Sequence, residues 1–255
     1  MKKDIIFLLT VLIFAGVTSA AQAHMLWLNA DNEAPQVGKN TTVEIGFGHK
    51  YPSTEGVKEE NIEKVFALDP KGRELPLERI APGKFGFVPK SGGEYGVIAK
   101  MKKGFLCTTP DGRKLGSKKE IKDAVSCMQF AMNAKTMIRA GSKSRNNSHS
   151  ADLPLEIIPL EDIGKLKVGK ELTLKLLFNG KPVQGVKLKA VDADSAKQKE
   201  DAWTQETVSD EKGIVRIKLA SRGQWLFAAN HETPYPDPQE CDKCSYRTTL
   251  TLIVK

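Results

Sequence analysis

The sequence predicts an all-β protein built as two Ig-like β-sandwich domains with one short helical insertion. Three observations support this. Short runs of alternating apolar and polar residues recur about every ten residues, cut by glycine, proline and asparagine turns, as expected for a sandwich. Leu172, Leu174 and Leu176, and later Thr249, Thr251 and Ile253, keep a two-residue period that fits half-buried antiparallel strands. A polar, aperiodic stretch, "GSKSRNNSHSADLP" (141–154), divides the strand-rich halves like a linker. The expected domains are 24–150 and 151–255, with a single extended β domain as the alternative.

In the first half, "TTVEIGFGH" (41–49) reads as a strand. "VFALDPKGRELPLERI" reads as strand, Asp-Pro-Lys-Gly turn and strand. "GKFGFVP" and "GEYGVIAKM" add two more around Ser91-Gly92-Gly93. Between Cys107 and Cys127, "PDGRKLGSKKEIKDAVSC" predicts a turn and then a short helix near 117–126. "CMQFAMNAKTMIRAG" fits helix or strand and is read as a strand. In the second half, "LPLEIIPL", "ELTLKLLFNGKPVQGVKLKAV", "GIVRIKL", "GQWLFAANH" and "SYRTTLTLIVK" supply strands, with an Asn-Gly-Lys-Pro turn inside the second.

Residues 1–23 read as a cleaved signal peptide. Lys2 and Lys3 precede an apolar run, Ile5 to Val17, too short to span a bilayer comfortably, and Ala21-Gln22-Ala23 has the small residues of a cleavage site. This predicts a periplasmic protein with no transmembrane segment after cleavage. A cut after Ala23 makes His24 the first residue, offering its α-amine and ring Nδ1 to one ion. The α-amine, with a reference pKa of about 7.7–8.0, yields its proton to a metal readily. A cut after Ala21 instead puts His24 third, where amine, amides and imidazole form a square plane that suits Cu(II) or Ni(II).

The formal net charge is +8, but the cations in "KKGF", "RKLGSKKEIK" and "KLKVGK" are interleaved with acids and apolar residues. No basic face with aromatic support stands out, so nucleic acid is not an expected partner. No G-x-S-x-G, H-E-x-x-H or G-x-x-x-x-G-K-[ST] occurs, and the reading is not an enzyme. The four cysteines, Cys107, Cys127, Cys241 and Cys244, are disulfide candidates in an oxidising compartment. Sequence proximity pairs Cys107 with Cys127 and Cys241 with Cys244, and the second pair, in "CDKC", is also a candidate metal ligand pair.

"AHMLWLNADN" after the signal, then "VEIGFGHKYP", "LPLEIIPL" and "GQWLFAANHE", in that order, resemble the bacterial periplasmic nickel/cobalt-uptake component family. That family is otherwise catalogued as a domain of unknown function. The second half, with "LFNGKPVQGVKLKAV", "TVSDEKGIVRIKL" and "RGQWLFAANHE", also resembles transthyretin-like and carboxypeptidase-regulatory-like sandwiches. The resemblance spans essentially the whole exported chain, which departs from it in carrying "PYPDPQECDKCSY" before the last strand. It implies a metal-handling protein that delivers nickel or cobalt to a membrane metal transporter.

The expected ligands are His24, His49 and His231, three strand-end imidazoles of the kind that suits nickel, cobalt, copper and zinc. Trp27, Tyr51 and Tyr235 follow them and are expected to wall the site. His149 lies in the polar linker and reads as solvated, and Glu44 falls on the opposite face from His49. Two other readings remain: a copper-binding protein or copper oxygenase with an N-terminal histidine chelate, and a structural or adhesive β-sandwich module that binds no metal.

Overall fold

The computed structural model describes residues 24–142, 150–198 and 202–255. The strands in chain order are β1 (Met25–Ala30), β2 (Thr41–Gly48), β3 (Ile62–Leu68), β4 (Glu74–Pro76), β5 (Glu78–Ala81), β6 (Lys84–Phe87), β7 (Gly93–Met101), β8 (Gly104–Thr109) and β9 (Gly112–Leu115). They continue with β10 (Ser126–Ala140), β11 (Leu155–Pro159), β12 (Glu171–Phe178), β13 (Lys181–Pro182), β14 (Lys187–Asp192), β15 (Gln205–Val208), β16 (Ile214–Lys218), β17 (Gly223–Pro234) and β18 (Lys243–Val254). The only α-helix among the described residues is α1 (Ala193–Gln198). The all-β expectation holds, and "CMQFAMNAKTMIRAG" is a strand, β10.

Three sheets form the layers. A central sheet runs β15-β14-β17-β18-β10-β7-β3-β4, with β8 and β9 branching from β10. It crosses from one half of the chain to the other where β10 lies parallel to β18, from Met128 beside Lys243 to Thr136 beside Thr251. A parallel neighbour needs a long crossover, and here the whole second half of the chain supplies it. The expected division near residue 150 falls beside 143–149, outside the described residues.

The two flanking sheets cover opposite faces of the central one. Side chains of β18 alternate. Thr249 and Thr251 donate to the carbonyls of Leu26 and Leu28 in β1 at 2.6 and 2.7 Å. Leu250 and Leu252 point the other way, into a core with Leu172, Leu174 and Leu176 of β12 and Trp225 and Phe227 of β17. The sheet β1-β2-β6-β5 therefore sits over β18, β10 and β7, burying Leu26, Leu28, Val43 and Ile45 against Ala99, Met132 and Ala134. The sheet of β11, β12, β13 and β16 closes the second core.

A buried ion pair links the halves. Lys135 on β10 and Glu156 on β11 meet at 2.7 Å, with side chains only 4% and 1% exposed. Glu156 also accepts from the Ala151 amide and the Ser150 hydroxyl, so both charges have partners where water cannot reach.

The expected helix near 117–126 is not formed. Glu120 reaches back to the Ser117 amide, and the Ile121 amide bonds the Ser117 carbonyl, which makes one turn. The chain then turns again rather than winding on. Ile121 and Ala124 are drawn onto a cluster of Cys107, Cys127 and Cys241, while Lys118 and Lys119 bond Asp242 and Asp237. Tertiary contacts thus override a weak local helical preference.

Gly46 is required by its cross-strand neighbour. It stands opposite Trp27, which is 0% exposed and lies flat on it. A Cβ at Gly46 would come 1.9 Å from Trp27 Nε1. Gly46→Ala is expected to cost roughly 1–3 kcal/mol or more by overpacking. Chemical denaturation measures this, and an unchanged midpoint would mean that Trp27 has room to move.

Candidate metal centre

The β1–β2 ladder runs antiparallel from Ala30 opposite Val43 to Met25 opposite Gly48. One step further, the same register sets His24 against His49. Opposed residues share a face, and here it is the face of Leu26, Ile45 and Phe47, turned towards the central sheet. Register alone therefore joins two histidines 25 positions apart. Their ring centroids are 4.0 Å apart, and the His24 ring stacks on Phe47 at 4.9 Å, nearly parallel at 7°.

Glu55 completes the group. The chain after His49 folds back along β2. The Thr54 hydroxyl accepts from the Phe47 amide at 3.0 Å, the Glu55 amide donates to the Phe47 carbonyl at 2.8 Å, and Glu55 Oε1 accepts from the His49 amide at 2.9 Å. Glu55 Oε2 then lies 3.6 Å from His24 Nε2. Gly48 leaves the space: its φ is +140°, and a Cβ there would meet the Glu55 carboxylate at 2.7 Å.

One ligand atom from each of His24, His49 and Glu55 lies within 4.8 Å of the others. Donors about 2.1 Å from a common ion are at most about 4.2 Å apart, so modest side-chain rotation would close the group on a metal. Burial and the neighbouring His49 lower the pKa of His24, which keeps its imidazole neutral and able to donate. The bond from the His49 amide lowers that of Glu55, which stays a carboxylate. His49 Nδ1 is buried without a hydrogen-bond partner among the described residues. Two imidazoles and one carboxylate are a donor set suited to a divalent transition ion.

Of the three expected histidines, the structure brings together His24 and His49 but not His231. His231 stands opposite Tyr246 in the β17–β18 ladder, and its ring meets Phe178 at 4.6 Å. Tyr246 points to the face opposite Arg247 and Thr249, so His231 is separated from His24 by the central sheet. Tyr235 is also elsewhere, against Phe105 beside the cysteines. Trp27 and Tyr51 pack edge-to-face at 5.7 Å on the reverse side of β1. Glu44 is exposed, and His149 lies outside the described residues.

The cysteine expectation is corrected. All four are buried free thiols. Cys107 and Cys127 do stand opposite each other between β8 and β10, but Cys241 joins them, while Cys244 sits in β18 near Gln129. Entry into β18 separates the two ends of "CDKC" into different surroundings. Burial and the adjoining thiols push the pKa of Cys127 up, so it stays protonated at neutral pH. Neither Cys241 nor Cys244 belongs to the His24 group.

Sequence reading missed Glu55 and Phe47. Phe47 carried a signal, since it lies two residues before His49 on the same strand face. Glu55 carried none, because a turn-rich loop, "YPSTEG", sets its position.

The model of a family described as Domain of unknown function (DUF4198) matches residues 21–233. The chain belongs to the DUF4198 family. The match takes in His24, His49 and Glu55, while Cys241 and Cys244 lie past its end. A relative of this DUF4198 chain is an uncharacterized protein of Haemophilus influenzae, 27% identical over 175 residues, covering 67% of this chain and 68% of its own. Among solved structures, the fibronectin(III)-like modules of Clostridium thermocellum CbhA align over 89% of this chain and 94% of theirs, at 11% identity and a TM-score of 0.21. Murine CEACAM1b aligns over 91% and 99%, at 9% identity and a TM-score of 0.23. Scores this low carry no argument. No helix among the described residues is long and apolar enough to cross a membrane.

Two histidines of this DUF4198 chain make the metal-free fold sensitive to acid. Burial lowers the pKa of both His24 and His231 below the ordinary histidine value. Below about pH 6.5 the unfolded chain therefore binds more protons at these sites than the folded one. Their contribution to stability is present above that pH and is lost as pH falls. The melting temperature is expected to drop between pH 7 and pH 5.5, and His231→Phe should reduce the drop. Equal drops in wild type and variant would remove His231 from the account.

Proposed function

We propose that this chain is an exported periplasmic protein that captures a divalent transition metal, nickel or cobalt, and delivers it to a membrane uptake system. The observation that carries this reading is the convergence of His24, His49 and Glu55 at one end of the first sandwich. The ordered resemblance to the nickel/cobalt-uptake component family favours these two metals. His24 has two ways to serve. Its ring now presents Nε2 to Glu55, which needs no processing. Cleavage after Ala23 would free the α-amine to chelate together with Nδ1, a mode that also suits copper.

The test is to express the protein with its native signal and determine the exported N-terminus by mass spectrometry. Nickel, cobalt, copper and zinc are then titrated into exported wild type, exported His24→Ala and protein that retains residues 1–23. Tight binding by wild type and weak binding by His24→Ala is the expected result. If the alanine variant binds as tightly, His24 is no ligand. If the form retaining residues 1–23 binds as tightly as the exported one, the Nε2 mode operates and the terminal chelate does not. Copper binds most such sites tightly in vitro, so physiological preference is read from the metal carried by protein recovered from the periplasm.

A further inference from the structure

The gap that holds His24 and His49 has a second wall, and its chemistry is cationic. Thr249 of β18 donates to the Leu26 carbonyl of β1, so its side chain faces that gap. Arg247 lies two residues earlier in the same strand and so projects to the same side, level with His24. Its register partner on β10, Met132, belongs to the same apolar cluster as Leu26 and Phe47. The ends of β1 and β2 thus supply two imidazoles, the loop after β2 a carboxylate, and the central sheet a guanidinium facing them.

Arg247 is half-buried, and among the described residues the charged groups that bear on its guanidinium, Glu232 and Arg113, act on it by charge and not through a hydrogen bond. Glu232, the acid that bears on it electrostatically, is bonded to Lys243 at 2.7 Å. The other charge that bears on it is a second cation, Arg113 of β9. A guanidinium partly withdrawn from water without an anion is unfavourable in the empty protein. Its planar fork is suited to a carboxylate, which it can hold through two parallel hydrogen bonds.

We propose that Arg247 binds a carboxylate group of a small organic anion that is itself coordinated to the captured metal. The site then takes a metal–carboxylate complex rather than a bare ion. This rests on the metal reading above. Three protein donors leave coordination positions open, and a chelating dicarboxylate can fill them while reaching Arg247 across the gap.

The test measures malonate binding by calorimetry to exported protein loaded with nickel, in a non-coordinating buffer, with inorganic phosphate as a parallel arm. Wild type is expected to bind malonate at least about tenfold more tightly than Arg247→Gln, the loss of a charge-assisted hydrogen bond. Arg247→Lys keeps the charge without the fork and should fall between them. Arg247→Gln should bind nickel itself at least as tightly as wild type, since it removes a cation that bears on His24 and no metal ligand. Equal malonate binding by wild type and Arg247→Gln overturns the proposal, as does phosphate binding without malonate binding. If Arg247→Gln does not fold, Arg247→Lys and Arg113→Gln decide: malonate affinity unchanged in both overturns the proposal. Wild type that takes nickel but not malonate refutes this proposal alone, whereas wild type that takes no nickel refutes the metal reading beneath it.

Discussion

His49→Ala should weaken nickel binding at least about a hundredfold, because losing a ligand costs no less than losing the partners that orient one. Glu55→Ala should follow closely, and His231→Ala should leave affinity within about twofold. The contrast is informative because the three substitutions each remove one polar side chain from the same fold. Only two of them lie on the His24 side of the central sheet. Isothermal titration on the three variants, with circular dichroism to confirm folding, measures it. A loss in His231→Ala equal to that in His49→Ala would mean that the ions bind on the other face, and the site assigned to His24, His49 and Glu55 would have to be abandoned.

Glu156→Ala should be among the most destabilising single substitutions in the protein. It leaves the Lys135 ammonium, 4% exposed, without its counter-charge, a defect worth about 3–5 kcal/mol. For a chain of this size that corresponds to a fall in melting temperature of about 10 °C. The double substitution Lys135→Met with Glu156→Leu removes both charges and should recover most of the loss. A shift below about 2 °C in Glu156→Ala would show that water or another group reaches Lys135. The pair joins β10 of the first half to β11 of the second, so its loss should lower both cores in one transition rather than two.

Much of this architecture was legible because period-two patterning is local. Leu172, Leu174 and Leu176 announce an inward face whichever strand they meet. What alternation cannot say is which strand that will be. The sequence placed His231 at a strand end, but β17 runs on to Pro234, so His231 lies within the strand, and its face follows from pairing with Tyr246. His24 and His49 were legible as candidates because each closes a strand, yet their meeting depends on the register of β1 against β2. Glu55 was not legible, since its place comes from a loop bonded back onto Phe47 and His49. The helix expected near 117–126 failed for a related reason: Ile121 and Ala124 are claimed by a cluster that brings Cys107 of β8 and Cys241 onto neighbouring Cys127. Proximity in sequence likewise misjudged Cys241 and Cys244, because strand entry between them sends the two thiols to different neighbours.

The junction of β1 with β18 also has a temporal meaning. Thr249 and Thr251, within the final seven residues, hold the carbonyls of Leu26 and Leu28. Leu26 and Thr249 stand 223 residues apart, so a chain made from its N-terminus presents β1 long before β18. β1 must therefore wait, unsupported on that side, until β18 has been made. Contacts of such long sequence separation form slowly. On the metal reading proposed above, capture would then begin only on molecules in which β18 is in place, which spares the ion from being bound by a half-folded chain.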